Sequence, residues 1–281
     1  MMQPLVSVII PCYNQGSFIQ EALDSLSFWD ANLIETIIIN DGSTDSFTNQ
    51  YLADLKGKGY NVIFQENKGL GEARNTGIRA SIGKYIVPLD ADNKLLPGYK
   101  EGLNILENDP QIAVLYGDRN FFGDKQGIEI TGEFNLQRLM LGNYIDACAI
   151  IRKSVLEEVG YYDPMKIMGF EDWDLWLRIA FKGYGFYYLN AVTFEYRFIR
   201  NSMMRSLNAD IKKQNEIELY LIQKYKDKLD YELLNNHFVY RVKKAPFNFF
   251  WRLVLKKYFY GYYDRLIREN KIYRGFLYQK H

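Results

Sequence analysis

Residues 67–93, with the sequence NKGLGEARNTGIRASIGKYIVPLDADN, decide the fold of this chain. The stretch is interpreted as a glycine-rich loop, an amphipathic helix and a short apolar strand at 85–89 that runs straight into Asp90-Ala91-Asp92. Carboxylates at the C-terminal end of a buried strand lie at the sheet edge where open α/β folds bind ligands. Two hard oxygen ligands in that place suit Mg²⁺ or Mn²⁺ held together with a substrate phosphate. The stretch therefore predicts metal-assisted chemistry on a diphosphate compound.

The bulk composition is that of an ordinary soluble globular protein. The chain has 281 residues, of which 48% are hydrophobic and 25% are charged, so it has enough apolar content for a sizeable core. The net charge of +1 gives no support to nucleic-acid binding. The two cysteines lack metal-ligand spacing, and neither a signal-peptide pattern nor a membrane-spanning apolar run is present. These features predict a protein of the reducing cytoplasm.

Short apolar strands alternate with helical segments along the first half of the chain. Strands are predicted at 6–10, 34–39, 62–64, 85–89 and 113–116, and helices at 72–81 and 97–108. This alternation predicts βαβ units, and hence a Rossmann-like α/β fold with a mostly parallel central sheet flanked by helices. Pro11 is expected to end the first strand. Consecutive strand ends then place Tyr13, Asp41 and Asp90 along one edge of the sheet.

Asp41 lies in NDGSTD, a sequence that is typical of a turn. Taken alone, this residue fits a plain turn position as well as a ligand position. Because the aspartate pair is expected at the same edge, a ligand role is favoured.

The pattern is less regular in the second half of the catalytic region. Glycine-rich turns between 118 and 146 contain a short helix near 135–141, and a strand follows at 147–152. Ser154 begins a capping-box pattern for the next helix. Two further strands are predicted at 186–189 and 192–197.

A second acidic pair opens a later helix. Glu171 and Asp172 fall in the first turn of a segment in which Trp173, Trp176 and Leu177 share one helical face. The helix dipole favours a carboxylate at this position. Taken alone, the pair is more simply interpreted as capping the helix.

From about residue 205 the sequence becomes helical and rich in Lys and Tyr, which predicts a helical C-terminal extension over 205–281. From residue 241 onward the only acidic residues are Asp264 and Glu269, and aromatic residues recur on one helical face. Such a segment fits peripheral contact with an anionic membrane at its inner face. Docking on the catalytic domain, or homo-oligomerisation through 241–281, is the favoured alternative.

Five motifs in their order along the chain resemble glycosyltransferase family 2. They are VSVIIPCYN at 6–14, NDGSTD at 40–45, the stretch 67–93, FEDWDLWLR at 170–178 and EYRFIRNS at 195–202. The resemblance covers about residues 4–204. It implies a GT-A fold with a catalytic domain at 1–204, in which 1–117 is the nucleotide-binding half and 118–204 the acceptor half.

The resemblance also implies an activity. Family members of this type are inverting transferases that move a sugar from a nucleotide-diphosphate sugar to an acceptor hydroxyl. A UDP-sugar is the favoured donor, a glycan or glycolipid is the expected acceptor, and Mn²⁺ or Mg²⁺ is the expected cofactor. By analogy with the family, the biological setting is polysaccharide or glycoconjugate synthesis.

The family motifs assign donor-binding roles to five residues. Pro11 and Tyr13 match the loop that cradles the base and ribose, and Asp41 matches the carboxylate that accepts the ring N–H of a uracil-like base. Arg74 matches a basic residue near the nucleotide, although a surface charge on a helix would explain it equally well. Asp90 matches the first Asp of an Asp-x-Asp signature, near the ribose or a metal-bound water.

The same resemblance assigns the chemistry to residues further along. Asp92 matches the second Asp of the signature, which is the direct metal ligand. Asp172 matches the general base that takes the proton of the acceptor hydroxyl. Glu171 and Trp173 are expected to flank the acceptor pocket.

The chain departs from the family pattern after Tyr196-Arg197. Many relatives carry a His two residues after this pair, but here Phe198 and Ile199 follow. A phosphate contact through Arg197, Arg200 or Ser202 is expected instead, without a third protein metal ligand.

Two other functions remain open at this point. A sugar nucleotidyltransferase would share the α/β fold and the metal-binding aspartates, but the loop Pro11-Cys12-Tyr13-Asn14 differs from the glycine-rich loop of those enzymes. A non-catalytic protein that binds nucleotide sugars would lack either the base or the metal carboxylate, and Asp172 and Asp92 are both present.

Overall fold

The computed structural model describes residues 3–164, 169–199, 211–232, 243, 250–251, 254–255 and 257–268. The chain divides into two compact units, one of residues 1–134 with 144–199 and the other of residues 135–143 with 200–281. The first unit contains the sheet and the residues to which the family motifs assign donor-binding, metal-binding and base roles.

The nucleotide-binding half is built from four strands and three helices that alternate, as predicted. The strands are β1 (Val6–Cys12), β2 (Ile34–Asp41), β3 (Asn61–Gln65) and β4 (Tyr85–Pro88). The helices are α1 (Gly16–Asp24), α2 (Ser46–Gly57) and α3 (Leu70–Ala80). All pairings among these strands are parallel, in the order β3-β2-β1-β4. Their carboxyl ends therefore meet at one edge.

Pro11 does not end the first strand, contrary to the prediction. It is buried inside β1 and pairs in register with Ile39 of β2. On the side of β1 that faces β4, the pairing ends at Ile9 and Pro88, so Pro11 has no ladder partner there. A residue without a backbone N–H is tolerated where one side of a strand has no ladder partner.

The second half of the first unit adds antiparallel pairings, so that the sheet as a whole is mixed. Its strands are β5 (Lys94–Leu95), β6 (Ile112–Gly123), β7 (Gly127–Glu129), β8 (Ile150–Arg152) and β9 (Gly185–Phe198). Within the described residues one nine-stranded sheet has the order β3-β2-β1-β4-β8-β6-β9-β5, with β7 paired to β6. β8 is antiparallel to both of its neighbours, whereas β6 and β9 are parallel.

Two long strands differ from their predicted bounds. β6 continues seven residues beyond the predicted end at residue 116, because its polar part pairs with both β7 and β9. β9 is one strand where two were predicted. Its register against β6 shifts between Leu189 and Val192, and this irregularity explains the apparent break in the pattern.

The remaining helices of the chain's central region are α4 (Gly98–Asn108), α5 (Leu136–Leu141), α6 (Lys153–Val159) and α7 (Glu171–Phe181). The capping box predicted at Ser154 is wrong, because Ser154 lies inside α6 and the N-cap position is Arg152, without a side-chain cap. Gly160 ends α6 in the left-handed conformation, with φ of 88°, as a C-terminal glycine does.

Helix α3 packs closely on the parallel strands. A Cβ added at Gly77 would lie 2.3 Å from Cγ2 of Ile9 and 2.8 Å from Cδ1 of Ile39, so only glycine allows this approach. The close packing holds the beginning of α3, which carries Arg74, at the carboxyl edge of β1 and β2.

The second unit contains two further described helices, α8 (Ile211–Lys224) and α9 (Tyr260–Arg268). Leu255 and Tyr263 are buried within it and pack with Leu266. Among the residues that the structure describes, no helix is both long enough and apolar enough to cross a membrane.

Candidate active site

The loops that follow β1 and β2 are tied together by Asn14. Its side-chain Oδ1 accepts hydrogen bonds from the backbone N–H groups of Thr44 (2.8 Å) and Asp45 (3.0 Å), and its own N–H donates to Oγ of Ser43. Asn14 adopts a positive φ of 55°, which asparagine tolerates better than most residues. Tyr13, immediately before it, is 45% exposed, so its ring is available at the sheet edge. The sequence placed Asn14 in the loop after the first strand, as an Asn at a turn position suggests, but assigned it no role of its own.

The carboxylate of Asp41 is buried and holds the loop that leads into α3. Oδ1 accepts hydrogen bonds from Nε2 of Gln65 (2.7 Å) and from the backbone N–H of Lys68 (2.9 Å), and Oδ2 accepts one from the N–H of Gly69 (2.9 Å). A carboxylate has about four acceptor positions. These contacts therefore use three of the four positions.

Arg74 joins the two acidic motifs. Its Nη2 lies 2.7 Å from Oδ1 of Asp90, and its Nη1 lies 2.9 Å from Oε1 of Glu171. The side chain is only 2% exposed, and its guanidinium lies over the ring of Tyr162. Burial alone would lower the pKa of Arg74, but the charges of Asp90 and Glu171 outweigh it and raise the pKa, so the residue stays charged. Direct contact between Arg74 and a nucleotide stays a prediction.

Asp92, two residues after Asp90, is partly buried. Burial, and then the negative charge of Asp90, raise the pKa of Asp92 to about 7. Its backbone carbonyl accepts a hydrogen bond from Nε of Arg197 (3.0 Å), and the neighbouring Asn93 accepts one from the N–H of Arg197 (2.9 Å). Arg197 therefore fixes the backbone that carries Asp92.

The expected phosphate contact after β9 is tested only in part by the described residues. The guanidinium of Arg197 lies against the rings of Phe18 and Phe122, and its Nη2 lies 2.9 Å from Oε2 of Glu21. These contacts join the Arg197 side chain to other residues of the protein. Residues 200 and 202, the other two expected phosphate contacts, lie outside the described residues.

The first turn of α7 carries three of the predicted site residues. Asp172 is partly exposed, and its Oδ1 accepts the backbone N–H of Trp173 at 2.8 Å. Burial, and then the charge of Glu171, raise the pKa of Asp172 to about 8, although Arg74 opposes the shift. Glu171 is buried and also accepts the N–H of Gly169 at 2.7 Å. Trp173 is buried beside Phe170, so its place in an acceptor pocket stays a prediction.

Asp146 belongs to the same cluster and was missed by sequence reasoning. Its Oδ2 lies 2.9 Å from Nη1 of Arg119, and its Oδ1 accepts the N–H of Cys148. Burial raises the pKa of Asp146 against the opposing effect of Arg119, and the charge of Asp90 adds to the rise. Asp146 lies in an irregular segment without a motif, so only its proximity to Asp90 and Asp172 identifies it.

The electrostatic character of the site follows from these contacts. Burial first, and then the charge of a neighbouring carboxylate, raise the pKa values of Asp92, Asp146 and Asp172, so both effects disfavour the ionised forms. Within the described residues no group of three or more acidic, His or Cys side chains forms a complete metal cage. A divalent ion would therefore need oxygen ligands from water or from a bound phosphate in addition to those of Asp92.

A family model described as glycosyl transferase family 2 matches residues 7–160, which is more than half of the chain. The chain belongs to glycosyl transferase family 2. This finding confirms the family that the five motifs indicated. A glycosyltransferase of Rickettsia bellii, described as uncharacterized, is 28% identical over an alignment of 258 residues that covers 87% of this chain and 37% of the relative. The chain thus spans little more than a third of the length of that relative.

Solved structures show the same fold as this family 2 chain. The S. aureus TarS fragment 1–349 in complex with UDP-GlcNAc superposes with a TM-score of 0.62 and 19% identity, over 85% of this chain and 74% of that chain. Mannosyltransferase PcManGT of Pyrobaculum calidifontis, in complex with GDP-Man and Mn²⁺, gives a TM-score of 0.55 at 19% identity, over 74% and 60% of the two chains. At this identity the likeness establishes the α/β GT-A fold alone.

Proposed function

We propose that this chain transfers a sugar from a nucleotide-diphosphate sugar to an acceptor hydroxyl, with inversion at the anomeric carbon. The observation that carries the proposal is the Arg74 bridge. One guanidinium contacts Asp90 of the Asp-x-Asp motif and Glu171, the residue before the proposed base. This contact supports a single site that combines the donor residues with the acceptor residues, although Asp90 and Glu171 are 81 residues apart in the sequence.

Asp172 acts as the general base in this proposal. An acceptor hydroxyl is a poor nucleophile, and a carboxylate that removes its proton as it attacks typically contributes about 10²–10⁴-fold in rate. The pKa of Asp172, raised to about 8, brings the carboxylate close to the pH at which a base is most effective. One base acting on the acceptor fits a single displacement, which inverts the anomeric centre and needs no covalent glycosyl-enzyme.

The donor nucleotide occupies the carboxyl edge of β1, β2 and β4. Tyr13 offers an exposed ring to the base, beside Pro11, and Asp41 offers its one remaining acceptor position to a ring N–H. Asp90 lies nearest the ribose, and Arg74 acts on the donor through Asp90. A uracil ring N–H fits an acceptor-only carboxylate, and TarS was solved with UDP-GlcNAc, so a UDP-sugar is the favoured donor.

A divalent cation fits beside Asp92. The carboxylates of Asp90 and Asp92 are hard oxygen ligands, and a bound Mn²⁺ or Mg²⁺ would stabilise the ionised form of Asp92, which burial and then the charge of Asp90 disfavour. Such an ion supplies Lewis-acid stabilisation of the negative charge that develops on the leaving nucleotide diphosphate. The residues of the chain hold Asp92 in place through Arg197, which binds its backbone carbonyl.

The direct test is a donor screen with the purified chain. Unfolding temperature and nucleotide-diphosphate release are measured with UDP-glucose, UDP-galactose, UDP-GlcNAc and GDP-mannose, each with Mn²⁺ and with EDTA. A bound donor stabilises the fold by an amount that grows with the ratio of its concentration to its Kd. At equal concentrations, the donor that binds most tightly therefore raises the unfolding temperature most. The proposal fails if no nucleotide sugar stabilises the fold or loses its sugar.

The same screen, extended with a nucleoside triphosphate plus a sugar phosphate, separates the two alternatives. A non-catalytic nucleotide-sugar-binding protein would be stabilised by a donor but would release no nucleotide diphosphate. A sugar nucleotidyltransferase would release pyrophosphate from a nucleoside triphosphate and a sugar phosphate. The carboxylate at Asp172, beside Glu171 and open in part to solvent, favours transfer over both.

We also propose that the C-terminal extension brings the enzyme to the inner face of a membrane, where a glycolipid or growing polysaccharide would serve as acceptor. Residues 241–281 contain 11 Lys and Arg against 2 Asp and Glu, whereas residues 1–240 contain 24 against 32. Trp251, Tyr258, Phe259 and Tyr262 are exposed, as is Lys257. Aromatic side chains with basic neighbours suit the interface of an anionic bilayer, where each Lys or Arg contributes about 1 kcal/mol.

Co-sedimentation with vesicles tests this location. The full chain should bind vesicles of phosphatidylcholine with phosphatidylglycerol more than vesicles of phosphatidylcholine alone, and the triple variant Trp251→Ser/Tyr258→Ser/Phe259→Ser should bind less. Light scattering of both proteins checks for homo-oligomers. If the chain self-associates and binds neither vesicle type, the result would instead support an oligomer interface in residues 241–281.

A further inference from the structure

Helix α3 links the two halves of the site through two adjacent buried polar residues. Arg74 and Asn75 are each 2% exposed, on a helix whose Gly77 packs directly on β1 and β2. Asn75 binds the backbone of Tyr162 twice, accepting from its N–H and donating to its carbonyl. Arg74 binds the side chains of Asp90 and Glu171.

The two carboxylates that Arg74 holds each control a functional segment. Asp90 lies two residues beyond the end of β4 and two residues before Asp92, and its side chain remains partly exposed, at 32%. Glu171 uses its second oxygen, Oε2, to accept the N–H of Gly169, so it fixes the approach to α7 and the position of Asp172. The planar side chain of Arg74 therefore connects the donor end of the site to the end that carries the proposed general base, Asp172.

The contacts of Arg74 leave little of it for a ligand. Its two terminal nitrogens are engaged at 2.7 and 2.9 Å, and the guanidinium is covered on one face by Tyr162. Its Nε is buried and has no hydrogen-bond partner among the described residues. A residue whose purpose was to bind a phosphate would present at least one N–H group to solvent.

We infer that Arg74 is a positioning residue, which sets the separation between the donor carboxylate Asp90 and the first turn of α7 instead of contacting the nucleotide. The inference rests on the proposed transferase function. The planar fork of arginine is essential to this role, because the single ammonium group of lysine cannot hold two carboxylates in the same fixed geometry.

The test is the variant Arg74→Lys, which keeps the buried positive charge. A small misplacement of reacting groups costs about 100-fold in rate, so kcat should fall by about that factor. The Kd for the nucleotide diphosphate, measured calorimetrically, should change by less than about tenfold, the equivalent of 1.4 kcal/mol. A direct nucleotide contact would give the reverse pattern, a large rise in Kd with kcat retained, and would overturn the inference.

Two control variants on the same helix separate positioning from stability. Arg79→Lys makes the same chemical change at a half-exposed position that pairs with Glu72, and should leave kcat unchanged. Asn75→Ala removes an equally buried link and should lower the unfolding temperature without a comparable fall in kcat. If Asn75→Ala lost as much kcat as Arg74→Lys, the effect would be structural and the inference would be wrong.

A second readout requires no turnover. Asp90→Asn at the donor end should change hydrogen exchange at the amides of residues 169–173 in the wild-type background, but not in the Arg74→Lys background. Equal effects in both backgrounds, or none in either, would overturn the coupling through Arg74. Absence of transfer by the wild-type chain would contradict the proposed function and leave this exchange measurement to decide the role of Arg74.

Discussion

Replacing Asp172 with Asn tests the proposed base with the smallest change in shape. The amide keeps a carbonyl oxygen that can still accept the N–H of Trp173, so the start of α7 should be preserved. The variant loses the ability to take a proton from the acceptor. We expect kcat to fall by about 10²–10⁴-fold, the usual contribution of a general base, with donor Kd nearly unchanged.

The pH dependence of the wild-type enzyme follows from the same residue. Burial, and then the charge of Glu171, raise the pKa of Asp172 to about 8. A base must be ionised to act, so roughly one tenth of the molecules are competent at about pH 7. The rate should therefore rise about tenfold per unit of pH below about pH 8 and then level off, and Asp172→Asn should lack this rise.

Stability should change with pH in the opposite sense. The folded pKa of Asp172 is raised from its ordinary value of 3.8, so the protonated form is favoured by folding. Its contribution to the free energy of unfolding is fully present below pH 3.8 and is lost as the pH rises through about 8. Asn cannot ionise, and so the unfolding temperature of Asp172→Asn relative to wild type should increase with pH across this window.

The assay combines nucleotide-diphosphate release with thermal melts of both proteins over this pH range. Calorimetric binding of the nucleotide diphosphate shows that the donor site of the variant is intact. A variant that kept near wild-type turnover would refute the assignment of the base. A difference in unfolding temperature that did not vary with pH would refute the electrostatic reasoning, even if the variant were inactive.

Two further predictions concern the metal and the packing of α3. Asp92→Ala should abolish the extra stabilisation that Mn²⁺ gives to a donor complex; stabilisation by Mn²⁺ that was equal in variant and wild type would exclude this residue as the ligand. Gly77→Ala should lower the free energy of unfolding by about 1–3 kcal/mol, because the added Cβ would lie 2.3 Å from Cγ2 of Ile9. Guanidinium chloride unfolding measures the second effect, and an unchanged midpoint would mean that the helix can shift at no cost.

The parallel half of the fold was predictable because its signals are local. Each of β1 to β4 is a short apolar run bounded by turn residues, and each helix between them shows a period of 3.6 residues. The predicted bounds agree with the structure to within a few residues. Parallel strands put their carboxyl ends at one edge, so the position of Asp41 and Asp90 at the same edge followed from the order of the elements.

The strand bounds in the second half of the first unit could not be predicted, because pairing between distant strands overrides the local sequence pattern. β6 continues through Gly117, Asp118 and Arg119, which are unfavourable in an isolated strand, because β9 pairs with it along this stretch. The carboxylate of Asp118 is satisfied by the N–H of Thr131 and the hydroxyl of Tyr188. The local sequence around Asp118 cannot predict a partner such as Tyr188, which lies 70 residues away.

The sequence by itself determined the family, the α/β class and the types of residue available for chemistry, because motif order and hydrophobic period depend on neighbouring residues alone. Only the tertiary structure decided that the sheet is mixed, that Asp146 joins the acidic cluster, and that Arg74 is buried between Asp90 and Glu171. The physical reason is that the partners of a buried charge are set by which strands and helices become neighbours. In residues 67–93, the aspartates could be recognised along the chain, but the role of the arginine depends on a carboxylate 97 residues further on.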